Sequence, residues 1–266
     1  MTAVFSYTPG STPLLISIPH DGRQLPPEVA SGMTATGKAI PDTDWHVIRL
    51  YAFAGDLGAS VISANYSRYV VDLNRPASDE ALYTGQVSTG LCPVASFAGD
   101  PLYQPGREPS PAERATRTEA YWRPYHERLA AALDETRARF GYALLWDAHS
   151  IPGEVPLLFP GRLPDLNIGT NDGRSCDEAL QTAVMAATVG ATYSSVLNGR
   201  FKGGYITRHY GRPERQVHAV QLELAQRCYM DEKSLRYDDR AAAKLGDTIR
   251  RMLQAYLASA TSAYGG

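Results

Sequence analysis

Ala143-Leu-Leu-Trp-Asp147 is apolar at four successive positions before it reaches a charge. Such a run is too short to cross a membrane and too uniformly apolar for a strand with one wet face, so it predicts a strand buried on both sides. Leu14–Ile18, Ser60–Tyr66, Tyr69–Leu73, Thr192–Leu197 and Val217–Leu224 read as further strands. Between them lie stretches of helical spacing. One opens near Asp42 or Asp44 and stops at Gly58. A second runs from Ser110 to about Phe140, with Ser110 as N-cap, Pro111 at the first helical position and Pro124 as a kink or break. Cys176–Thr188 and Arg240–Ala258 complete the set. Strands alternating with helices predict an α/β fold, a doubly wound and largely parallel sheet with helices on both faces. The absence of internal repeats and low-complexity linkers leads us to expect a single domain over residues 1–266, with long active-site loops near 77–110 and 150–173. In such sheets ligands bind beyond the carboxyl ends of the strands, so residues placed just after strands are the ones to examine.

Composition removes several function classes. A formal net charge of -2 gives no electrostatic reason for a nucleic-acid or acidic-membrane partner. No segment approaches the roughly 20 apolar residues of a membrane helix, and the N-terminus lacks a basic region followed by an apolar stretch. Cys92, Cys176 and Cys228 are widely spaced and odd in number, which argues against a disulfide framework and for a reducing cytoplasm.

Two histidines stand at strand ends: His20 in Ile18-Pro-His-Asp-Gly22 and His149 in Trp146-Asp-Ala-His-Ser150. Asp147 and His149 are two residues apart and share a strand face, which suits an imidazole with a carboxylate nearby. Two histidines and one carboxylate, with a position open to water, form a hydrolytic zinc site. Pro41-Asp-Thr-Asp-Trp-His46 offers the third ligand. Asp44 is the preferred choice, with Asp42 as helix cap and His46 as a substitute ligand. Glu223 lies in the apolar run Val217–Leu224, on one face with Val217, Ala219 and Gln221. A carboxylate there is costly unless paired or used, and burial would raise its pKa toward general-base range. Asn74 and Arg75 follow Tyr69–Leu73, where an amide and a guanidinium would make a fork for a carboxylate; a capped turn is the plain alternative. In Gly203-Gly-Tyr-Ile-Thr-Arg-His-Tyr-Gly211 the glycines would let backbone approach a ligand, and Arg208 would clamp a second carboxylate. No Gly-x-Ser-x-Gly elbow or phosphate loop is present.

As a set, Ile16–Gly22, Asp42–His46, Asp72–Pro76, Trp146–Ser150, Gly203–Gly211 and Gln221–Glu223 resemble the N-formylglutamate amidohydrolase family over roughly residues 14 to 230. That resemblance implies a zinc-dependent deformylase of histidine breakdown, cutting N-formyl-L-glutamate to formate and L-glutamate with one Zn2+ per chain. It also implies a zinc-exopeptidase-like fold, through a distant likeness to zinc carboxypeptidases and aspartoacylase. On the same resemblance His20 and His149 match metal ligands, Asn74 and Arg75 a substrate-binding pair, Arg68-Tyr69 a carbonyl-polarising arginine and its neighbour, and Glu223 the catalytic acid/base. The distant relatives take their second ligand from His-x-x-Glu, whereas Arg23 stands there in this chain. Two rival expectations use the same residues: a deacylase of another N-acyl amino acid, and a non-catalytic binder of an acidic amino acid.

Overall fold

The computed structural model describes residues 3–80 and 89–265. Seven strands form one sheet among them: β1 (Phe5–Thr8), β2 (Leu14–Ile18), β3 (Ser60–Ala64), β4 (Ala143–Ile151), β5 (Leu166–Gly169), β6 (Ser195–Leu197) and β7 (Val217–Ala225). Their spatial order is β1-β3-β2-β4-β7-β5-β6. The central pairs β3/β2, β2/β4 and β4/β7 are parallel, as is β5/β6, while β1/β3 and β5/β7 are antiparallel. The helices are α1 (Pro27–Ala30), α2 (Ala35–Ala39), α3 (Val47–Leu50), α4 (Pro111–Arg117), α5 (Arg123–Phe140), α6 (Glu178–Ala186), α7 (Tyr205–Tyr210) and α8 (Asp239–Tyr264).

Every residue of β2, β4 and β7 is buried, because both sheet faces are covered. Alternation sorts them. Leu14, Ile16 and Ile18 pack with Leu144, Trp146, Ala148, Val220, Leu222 and Leu224 beneath α3, α6 and α8. Leu15, Ala143, Leu145, Val217 and Ala219 face Tyr125, Leu129 and Leu133 of α5 and Ile206 of α7. The expected α/β sheet with helices on both faces is therefore present.

Four expectations change. Tyr69–Leu73 is not a strand. It folds as successive turns, closed by Val70 N–H to Ser67 O (2.9 Å) and Arg75 N–H to Asp72 O (3.2 Å). Its apolar side chains are buried between loops: Tyr69 and Val70 lie against Met33 and Leu102, and Val71 and Leu73 against the α5 side. Burial explains the composition without a ladder. The stretch 150–173 holds β5, which pairs with the outer side of β7. The helix expected from Asp42 or Asp44 to Leu57 is shorter, α3 followed by a 3-10 turn over Ala52–Leu57. Asp42 does not cap it; Asp21 Oδ2 accepts from Ile48 N–H instead (2.8 Å). The run from Ser110 to Phe140 does divide near Pro124, as α4, a π-helical turn over Thr118–Trp122, and α5. Of the expected loop near 77–110, residues 81–88 lie outside the described residues.

Candidate active site

The parallel neighbours β2, β4 and β7 all run toward one edge of the sheet, and the residues at their ends line one cleft. His20 follows β2 by two residues, and its carbonyl accepts from Asp44 N–H (3.1 Å), which ties the loop before α3 to the strand end. His149 lies near the end of β4, in register with Glu223 of β7.

His149 Nδ1 is 3.1 Å from Asp44 Oδ2, and His20 Nδ1 is 3.8 Å from the same oxygen. One ligand atom from each of the three buried residues lies within 4.8 Å of the others. Tetrahedral zinc, with bonds near 2.0–2.2 Å, holds its ligand atoms roughly 3.3 Å apart, so this set is close to metal-ready. The far nitrogens are backed by buried carboxylates: His20 Nε2 lies 2.8 Å from Asp72 Oδ1, and His149 Nε2 lies 3.1 Å from Asp147 Oδ1. A carboxylate behind each imidazole fixes its tautomer and presents the other nitrogen to a cation.

Charge points the same way. Asp44, Asp72, Asp147 and Glu223 are buried here beside one buried guanidinium, Arg68, which reaches Asp72 Oδ2 at 2.6 Å and Asp44 Oδ1 at 3.8 Å. Burial alone would raise the Asp72 carboxyl, but Arg68 and His20 hold it well below the usual carboxylate range. Burial opposes charge on His149, yet Asp147 and Asp44 outweigh it and lift that imidazole well above its ordinary value. At His20, burial and Arg68 together win, and the imidazole is held low. A buried cluster that draws a proton onto one of its imidazoles is short of positive charge, which a divalent cation would supply. Burial pushes the Glu223 carboxyl up to about 8.

The other expected ligands point elsewhere. Asp42 Oδ2 accepts from Phe97 N–H (2.8 Å), and His46 bonds Leu235 O (2.9 Å) and packs on Tyr237. Asn74 and Arg75 leave a turn rather than a strand end. Asn74 lines the cleft, with Oδ1 accepting from Ile206 N–H at 2.8 Å and Nδ2 lying 3.0 Å from His149 Nε2. Arg75 lines the cleft, held by Thr89 through Nε to the carbonyl (2.7 Å) and NH2 to the hydroxyl (3.0 Å). Arg208 is not among the residues lining the cleft; its Nε donates to Gly203 O (2.7 Å). Gly204 does line it, and a Cβ there would fall 2.3 Å from Asn74 Nδ2, so glycine is required for Asn74 to close in.

Three residues escaped the sequence reading. Arg200 lines the cleft, three residues beyond β6, and its strand-end position just before the Gly pair was the available signal. Gln221, on the face of Glu223, accepts from Gly204 N–H (2.7 Å). Asp72 backs His20 from within the same Asp-Leu-Asn-Arg run.

Three comparisons bear on this geometry. The model of the family described as N-formylglutamate amidohydrolase matches residues 12–230. A Pseudomonas aeruginosa protein named N-formylglutamate deformylase is 55% identical over 262 residues, covering 97% of each chain. A Pseudomonas putida protein of the same name is 51% identical over 266 residues, covering 99% of each. Among solved structures, N-formylglutamate amidohydrolase from Ralstonia eutropha shares the fold with a TM-score of 0.83 at 24% identity, over 97% of this chain and 99% of that one.

Proposed function

The chain belongs to the N-formylglutamate amidohydrolase family, and from that premise we propose that it hydrolyses N-formyl-L-glutamate to formate and L-glutamate with one zinc ion held by His20, Asp44 and His149. The observation that carries this reading is the convergence of those three ligand atoms, each imidazole backed by a carboxylate, in a cleft that also holds Glu223 and three arginines. The names of the Pseudomonas relatives support the substrate. The resemblance supports a place in histidine breakdown.

A zinc ion in this ligand set supplies Lewis acidity to a carbonyl and to water. The remaining work falls to side chains. Glu223, whose carboxyl burial has raised, takes the proton of the attacking water; a cation beside it would bring its pKa down into working range. The water oxygen bonds to the formyl carbon, the C–N bond breaks, and Glu223 returns the proton to the departing nitrogen. Arg68 stabilises the negative charge that develops on the carbonyl oxygen. Arg75 and Arg200 hold the carboxylates of the glutamate moiety, where guanidinium geometry is matched bidentately. Asn74 Oδ1 holds α7 through Ile206 N–H, and Arg208 Nε holds Gly203.

Metal analysis and formate release test the reading together. The purified protein should contain one zinc per chain, lose formate release on chelation and regain it with zinc. Full activity in metal-free protein would overturn it, and a protein that binds glutamate yet releases no formate even after zinc is supplied would make it a binding protein.

A second reading has an observation of its own. A side cleft lined by Pro93, Val94, Ala95, Phe97 and Leu157 shares Thr89, Phe97 and Leu158 with the main one. Its apolar walls would suit a longer N-acyl group. Faster release of acetate or succinate than of formate from the matching amides would favour that reading.

A further inference from the structure

Two aromatic residues far from the cluster in sequence hold the segment that carries Arg75. Trp122 ends the π-helical turn, and His126 lies one turn later on α5. Their rings stack with centroids 3.8 Å apart and an interplanar angle of 29°. Trp122 Nε1 donates to Arg75 O (2.9 Å), and His126 Nε2 donates to Leu73 O (2.9 Å). The two carbonyls flank Asn74 on either side. On its other edge the same segment is tied to α7, since Asn74 Oδ1 accepts from Ile206 N–H and the Tyr205 ring lies tilted against Trp122 and edge-on to His126.

The π-helical turn is what makes this reach. Pro124 has no N–H to donate and would break the run between α4 and α5. A wider turn just before it inserts an extra residue, turns the following face and lets the helix continue. Trp122 and His126 thereby come to lie on the side facing Leu73–Arg75, with Leu129 and Leu133 of the same helix anchored in the core.

We infer that Trp122 and His126 are positioning residues for substrate binding: a two-donor clamp that fixes the Leu73 and Arg75 carbonyls and so aims the Arg75 guanidinium into the cleft. This rests on the reading of Arg75 as an anchor for a substrate carboxylate. Neither residue lines the cleft, so the clamp acts on affinity through Arg75 and leaves the proton transfer at Glu223 untouched.

The test deletes one donor while keeping the ring stack. W122F should raise KM for N-formyl-L-glutamate about tenfold, the scale of one hydrogen bond, with kcat within about twofold and zinc content unchanged. H126F should do the same, and H126Q, which can still donate to Leu73 O, should recover most of the affinity. Amide exchange reads the clamp without turnover. In W122F the amides of Asn74 and Ile206 should exchange faster, while those of β4 stay protected. Unchanged KM and unchanged exchange in folded W122F would overturn the clamp, as would equal losses in kcat and zinc content. A wild-type protein that releases no formate would sink the substrate reading instead, and the exchange of Asn74 and Ile206 would still decide the clamp.

Discussion

Leu222 and Glu223 are consecutive residues of β7, both buried, and they serve opposite sides of the sheet. Leu222 stands beside Ala148 of β4 and Ile168 of β5, under α6 and α8, where almost every side chain is apolar. Glu223 stands beside His149, on the face where Asp147, Gln221, Asp44 and Arg68 gather at the strand ends. One face supplies stability through burial of apolar area. The other keeps charged groups out of water at a cost that only their mutual pairing, and a cation, offsets. A chain can carry those charged strand ends because the first face is uniformly apolar and the second is apolar too, away from the strand ends, where Leu15, Leu145 and Ala219 meet α5.

The largest effect expected from breaking this division is at Glu223. Glu223→Gln keeps the shape and removes the proton acceptor, so turnover should fall by roughly 10²–10⁴-fold. Zinc content and melting temperature should stay near wild type, because the neutral amide suits a buried position at least as well as the acid. A variant with near-normal kcat would remove Glu223 from the acid/base role.

One residue earlier the outcome should invert. Leu222→Ala empties part of the apolar face and should cost about 2–5 kcal/mol of unfolding free energy. Activity per folded, zinc-loaded molecule should change little when measured well below the melting transition. If Leu222→Ala lowers kcat as much as stability, the two faces are coupled rather than independent.

The apolar face was also the more legible one. Short uninterrupted runs such as Leu14–Ile18 and Ala143–Trp146 have few readings besides buried strands, and the residues just beyond them, His20 and His149, follow from the rule that ligands sit past strand ends. Glu223 stood out because a carboxylate among apolar neighbours needs a reason. Legibility failed where burial and strand character part company. Tyr69–Leu73 is as apolar as a strand but is buried by loops, and β5, Leu166-Asn-Ile-Gly169, is short and interrupted by polar and small residues. Within the site, spacing offered both Asp42 and Asp44; the hydrogen bond from Asp44 N–H to His20 O separates them, and it depends on the fold. Asn74 lines the cleft beside Arg75 while its amide oxygen is used within the fold on Ile206 N–H, and Arg200 follows a strand of only three residues, whose end is a weak signal.

The smallest effect concerns a buried polar residue that belongs to neither the apolar core nor the charged cluster. His126 packs between Trp122 and Tyr210, its Nε2 on Leu73 O and its Nδ1 2.9 Å from the Tyr210 hydroxyl. Burial pushes its pKa down to about 3. In the unfolded chain the same imidazole titrates near 6.5. Below pH 6.5 the unfolded chain therefore binds a proton that the folded protein refuses until about pH 3, and stability falls with falling pH across that window. At pH 5 the loss should be about 2 kcal/mol relative to neutral pH. The cluster histidines titrate in both proteins, so comparing wild type with His126→Gln isolates this residue. Between pH 7 and 5 the variant's unfolding free energy should fall less steeply than the wild type's by that amount. Parallel curves would mean that His126 accepts a proton without loss, and that the aromatic block beside Arg75 tolerates charge as the face around Glu223 does.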